Sequence, residues 1–195
     1  MATSATPMGA EPTDTLSASG SFTGKVRHMS IASGYGTAIF YGDFVKLVAA
    51  GTVEKSAITT AVVAGTVGIF VGCSYTDPTS NQLTFNQQFP ASTAASDIMA
   101  YVVDDPDLVF RMQGDGSIAQ TGLGNNVSLV STAGSTSIGR SKNAVDASTI
   151  ATTNSLPARI VEFVDGPSST VGDTYTDVLV TYLPLSHAYE TALGV

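Results

Sequence analysis

After Lys25 the chain is dominated by short runs in which apolar and polar positions alternate with a period of two, as expected of half-buried strands. The pattern predicts strands over residues 26–31, 37–47, 67–75, 101–104, 108–113, 159–164 and 176–183. In 37–47 both faces carry apolar side chains, with Ile39, Tyr41, Val45 and Leu47 against Phe40 and Phe44. In 67–75, Val67, Ile69, Val71, Cys73 and Tyr75 share one parity, while Gly68, Phe70, Gly72 and Ser74 share the other. Asp77-Pro78-Thr79-Ser80-Asn81 then has turn chemistry, and Leu83, Phe85 and Phe89 resume on one face, so the stretch reads as a β-hairpin with a polar tip. Ser33-Gly34-Tyr35-Gly36, Asp115-Gly116 and Asp165-Gly166-Pro167 punctuate the other runs. Two segments, 92–99 and 141–150, read as short helices, the first with Ser92 as its cap. Neither is long enough to cross over a parallel sheet. The expected fold class is all-β, a barrel or sandwich with one or two short helices and an extended N-terminal arm.

The arm is residues 1–24, where Thr, Ser, Ala, Gly and Pro offer scarcely an apolar anchor before Phe22. The β-rich domain is 25–195. With 195 residues and 43% apolar composition, one core of ordinary size is expected. Charged residues are only 12%, so the surface relies on hydroxyls and backbone rather than on ion pairs. A net charge of −8 and scattered Lys and Arg disfavour direct nucleic-acid binding. The N-terminus lacks the basic and apolar regions of a secretory signal, and the Gly-interrupted run 61–71 is too short to span a bilayer, so no membrane segment is expected.

Candidate chemistry is sparse. Cys73 is the only cysteine, it lies in an apolar row, and no His, Lys or Arg occurs between Lys55 and Arg111 to lower its pKa. It is read as structural. The corner Asp104-Asp105-Pro106-Asp107, with Asp115 beyond the next strand, supplies oxygens for calcium, but its spacing is not that of an EF-hand and solvated corners often carry such residues. His28 and His187, the only histidines, could complete a Ser-His-Asp triad only through the fold. Gly20 to Lys25 falls one residue short of a phosphate loop, and paired carboxylates for glycoside hydrolysis lack a Trp platform. Asn126-Val127-Ser128 matches a glycosylation sequon. No catalytic, cofactor-binding or metal residue is assigned, no cofactor is expected, and the chain is not expected to be an enzyme.

The successive segments GIFVGCSYTDPTSNQLTFNQQFP, AYVVDDPDLVFRMQGDGS, IGRSKNAVDAST and LPARIVEFV resemble a family of tailed-bacteriophage structural proteins, the head-decoration or cement proteins. The similarity spans roughly residues 30–180 and carries strand and turn signatures without a catalytic motif. It implies a capsid-binding domain over 25–195 whose partners are the major capsid protein and copies of itself, as a homotrimer. The implied location is the virion exterior, after assembly in the host cytoplasm. Two other readings fit the same composition: a tail or adhesin component, and a carbohydrate-binding module using Tyr35, Tyr41 or Tyr75.

Overall fold

The computed structural model describes residues 4–17, 22–59, 63, 65–184, 186–191 and 194. Twelve strands and two short 3-10 turns, Gln120–Gly122 and Ala188–Glu190, account for the regular structure among them. The strands are β1 Glu11–Thr15, β2 Val26–Ser30, β3 Phe44–Leu47, β4 Val53–Lys55, β5 Thr66–Thr76, β6 Leu83–Asn86, β7 Met99–Val103, β8 Leu108–Gln113, β9 Asn126–Val130, β10 Ala144–Ala151, β11 Ala158–Phe163 and β12 Asp177–Tyr182. They form two antiparallel sheets packed together. The first has the order β1-β8-β12-β11-β9-β10, and the second β2-β7-β5-β3-β4, with β6 paired to the far half of β5. The fold is a sandwich rather than a closed barrel.

Two apolar layers hold it. Between the sheets, Phe110, Met112, Val127, Leu129, Ile160, Val178 and Val180 of the first sheet meet Phe44, Ile69 and Val103 of the second. Phe44, Phe110 and Tyr182 pack as an aromatic triangle, with ring centroids 5.1–6.1 Å apart. On the opposite face of the second sheet, Val45, Val67, Phe70, Cys73, Tyr75, Ala100 and Val102 are covered by loop residues Ile31, Ile39, Phe89, Ala95 and Ile98. The second sheet is therefore buried on both sides where the sandwich and this loop layer overlap.

Strand β5 departs from simple alternation. Val45 pairs with Gly68 and Lys46 with Thr66, leaving Val67 extra, and Phe70 pairs with Val102 while Gly72 pairs with Tyr101, leaving Val71 extra. Each bulge switches the side to which the following residues point. Ile69 and Val71 consequently face the first sheet, while Val67, Phe70, Cys73 and Tyr75 face the loop layer, so the single row expected from parity is split. Gly68 allows the close approach, since a Cβ there would lie 2.0 Å from the Val103 carbonyl oxygen.

The N-terminal segment also departs from expectation. Among the described residues of 1–24, Glu11–Thr15 form the edge strand of the first sheet, paired antiparallel with β8, and Ala10 is fully buried in the inter-sheet core. The Ala10 N–H donates to the Gly42 carbonyl at 2.9 Å, and the Leu16 N–H to the Asp107 carbonyl at 2.8 Å. This stretch is docked through backbone bonds, which need no apolar sequence signal. The ordered β fold begins by Ala10 instead of Lys25.

Neither expected helix forms. Residues 141–150 fall mostly in β10, where the register shifts between Asp146 and Ala151 disrupt the period of two. Residues 92–98 are irregular, Ser92 has a positive φ of 60° instead of capping a helix, and Ala95 and Ile98 plug the loop-side core. Within 37–47 only Phe44–Leu47 is a strand, while Ile39 and Tyr41 make isolated bridges to Phe89 and Arg140.

A buried acid ties the layers together. Asp43 is 0% exposed; its Oδ2 accepts from the Phe40 N–H at 2.9 Å and pairs with Lys55 Nζ at 2.8 Å. Its Oδ1 accepts from Ser141 Oγ at 2.7 Å and Asn143 Nδ2 at 3.2 Å. One carboxylate thus joins the turn before β3, strand β4 and the approach to β10, with each oxygen doubly satisfied.

Candidate docking face

Eleven residues long, β5 reaches past the inter-sheet core. Ile69 and Val103 lie inside that core, but farther along the same sheet face Tyr101 and Met99 are half-buried and belong to neither apolar layer. The pairing rows define what this end of the sheet presents. Phe85 stands opposite Ser74, which stands opposite Met99, which stands opposite Ser30; Leu83 stands opposite Thr76, and Tyr101 lies between Gly72 and His28. A four-stranded platform, ordered β6-β5-β7-β2, results.

Its apolar members are open to solvent, with Phe85 70% and Leu83 62% exposed. They alternate with Thr84 and Asn86 along β6, so both project from the platform side. The His28 and Tyr101 rings pack 4.7 Å apart, and a Cβ at Gly72 would lie 3.6 Å from the Tyr101 ring, which rests over the glycine. The reverse side of this platform is filled by Cys73, Tyr75, Phe70, Ala100 and the loop layer, which backs it with a packed core. Such an arrangement can bind a surface, and its exposed side chains include neither a nucleophile paired with a base nor a metal-ligand set.

The basic residues of the platform, Arg27 and His28, are confined to its far strand β2. Strands β5, β6 and β7 and their connections contain no Lys, Arg or His, because none occurs between Lys55 and Arg111. At the rim Asp97 accepts from the Thr76 hydroxyl at 2.6 Å and from the Thr76 N–H, bonds that hold its carboxyl below the usual range. At the hairpin tip Asp77 accepts from the Ser80 and Thr79 N–H groups at 3.0 and 2.7 Å and is likewise held ionised. Asn81 closes that turn in the left-handed region, with φ of 56°.

The other candidates are dispersed or internal. Cys73 is 0% exposed, desolvation pushes its thiol up to about 12, and Sγ lies 3.5 Å from the Gln88 carbonyl oxygen as its donor. Asp104 turns inward to pair with Arg27 and to accept from the Tyr189 hydroxyl at 3.0 Å. Asp105 instead accepts from the Asp107 N–H, and Asp115 from the Ala147 N–H. No group of three or more His, Cys, Asp or Glu residues able to hold a metal occurs among the described residues. His28 and His187 are apart in role: the first is exposed on the platform, while the second is buried beside Tyr182 and Tyr189, its pKa lowered by desolvation.

Tyr35, Tyr41 and Tyr75 do not make a sugar platform. Tyr75 is buried, Tyr35 packs against the loop-side core, and Tyr41 is covered by the Arg140 guanidinium 4.8 Å from its ring centroid. The sequon Asn126 is buried in β9, donating to the Thr153 carbonyl and accepting from Arg159 Nε. Phe89 leaves the expected Leu83–Phe85 row and enters the loop-side core through its bridge with Ile39. No family model, curated protein or solved structure matches the chain. No helix among the described residues is long and apolar enough to cross a membrane.

Proposed function

We propose that this chain is a virion structural protein that decorates the outer surface of a phage head and stabilises it by bridging neighbouring major capsid protein subunits. The observation that carries the reading is the open platform: Leu83 and Phe85 stand in solvent on a sheet whose reverse side is packed. Monomeric proteins rarely leave a contiguous apolar face uncovered without an interaction to cover it. A platform held by a packed core loses little conformational entropy on docking.

Stabilisation by such a protein requires no bond-making step. A subunit that binds the assembled shell better than it binds free capsid protein shifts the equilibrium toward the shell by mass action. Several copies acting together, as in a trimer, would raise the effective concentration of each weak contact. The test is co-sedimentation of the full chain with purified expanded heads, followed by heat challenge. Saturable binding that raises the temperature of head rupture supports the reading; no binding to heads overturns it.

A further inference from the structure

We infer that the open platform takes an extended apolar segment of another protein, flanked by Lys or Arg, which adds as a strand along β6. This inference rests on the docking reading above and specifies the chemistry of the occupant. Three observations converge on it.

β6 pairs with β5 alone among the described strands, so its other edge is available for a backbone ladder. The side chains beside that edge are Leu83 and Phe85, spaced two apart on one face, which suits an incoming strand whose alternate residues are apolar. Two acids border the platform: Asp97, bonded to the Thr76 that stands opposite Leu83, and Asp77 at the hairpin tip. With no Lys, Arg or His on β5, β6 or β7, and with Arg27 and His28 on the far strand β2, where Arg27 already pairs with Asp104, a complementary partner along β6 brings its own cations.

The same charges argue against a second copy on this face. A second copy docking here would bring no Lys, Arg or His from its own β5, β6 or β7 to Asp77 or Asp97, on chains that each carry a net charge of −8. Like-charge juxtaposition at a contact disfavours that partner, whereas Lys or Arg flanks convert the same rim into attraction.

The probe is a pair of short fluorescent peptides sharing one alternating Val-Thr core, flanked at both ends by lysines in one and by glutamates in the other. Anisotropy titration against the full chain should show the lysine-flanked peptide binding at least about tenfold more tightly, the equivalent of two modest rim charge pairs. The preference should shrink at high salt. Phe85→Ser and Leu83→Ser should each abolish binding while leaving the melting curve unchanged, because both side chains are exposed. Equal binding of the two peptides, no binding of either, or undiminished binding by Phe85→Ser overturns the inference. So does a concentration-dependent dimer in sedimentation that Phe85→Ser dissolves, since a second copy would then be the occupant. The outcomes separate from those of the decoration reading. Peptide discrimination without head binding defeats only the decoration reading, and head binding without discrimination defeats only this one.

Discussion

Replacing Asp43 by Ala tests how the two apolar layers are joined. The substitution removes four partners at once: the Phe40 N–H, Ser141 Oγ, Asn143 Nδ2 and Lys55 Nζ. Lys55 is the decisive one, since its side chain is 16% exposed and its ammonium would lose its counter-ion in a largely dry setting. Breaking a buried pair from one side costs about 3–5 kcal/mol, because the remaining charge is uncompensated. For a chain of this length that corresponds to a fall in Tm of about 6–20 °C, a large part of an ordinary domain's stability. Urea denaturation followed by far-UV circular dichroism measures it. The double variant Asp43→Ala with Lys55→Met should recover part of the loss by removing the orphaned ammonium, giving a coupling of about 1–3 kcal/mol. A loss below about 1 kcal/mol for the single variant, or strict additivity in the double, would refute the view of Asp43 as a charged tie between layers.

Gly68→Ala should destabilise by more than about 3 kcal/mol, since the new Cβ would sit 2.0 Å from the Val103 carbonyl oxygen and force β5 from β7; faster amide exchange in both strands checks this. Cys73 should resist thiol reagents in the native protein, as its pKa of about 12 and full burial require, and Cys73→Ser should cost about 1 kcal/mol in denaturant unfolding. His187 has a folded pKa below its ordinary value of 6.5, so the unfolded chain takes up the proton first and stability should fall as pH drops below about 6.5; His187→Gln should flatten that part of the stability profile. Deleting residues 1–24 should lower Tm and expose the edge of β8, because β1 and Ala10 belong to the sandwich; an unchanged Tm would show that the docked segment contributes nothing.

The sandwich was legible where alternation is regular. Residues 26–30, 108–113, 158–163 and 177–182 are strands at almost the positions their pattern predicts; the last three bury a face in a core, while β2 packs only Met29 against one. β1 was hidden because Glu11-Pro12-Thr13-Asp14-Thr15 is polar and is held by backbone pairing at a sheet edge. β9, absent from the predicted strands, places Val127 and Leu129 in the inter-sheet core. In β10 the local bonds of Asp146 to the Ser148 N–H and hydroxyl interrupt the strand's pairing, so its apolar spacing imitates a helix.

The docking face was half legible. Leu83 and Phe85 were visible as an apolar pair, but exposure depends on how far β5 extends beyond the first sheet, which no local pattern encodes. The two bulges matter equally. They place Ile69 and Val71 on the face that Ser74 and Thr76 share, opposite Cys73 and Tyr75, a division that strict parity along β5 does not reveal. Nothing in the local pattern of 37–47 marks Asp43, because the partners that give its burial meaning, Ser141 and Asn143, lie about a hundred residues away.

We propose that the open β6-β5-β7-β2 platform is the surface by which this chain joins a phage head. Cryo-electron microscopy of purified expanded heads incubated with the full chain tests it most directly. Ordered density is expected on the outer shell across joints between capsid subunits, with Leu83 and Phe85 buried in the contact. Absence of density on the shell, or attachment with that platform facing solvent, would contradict it.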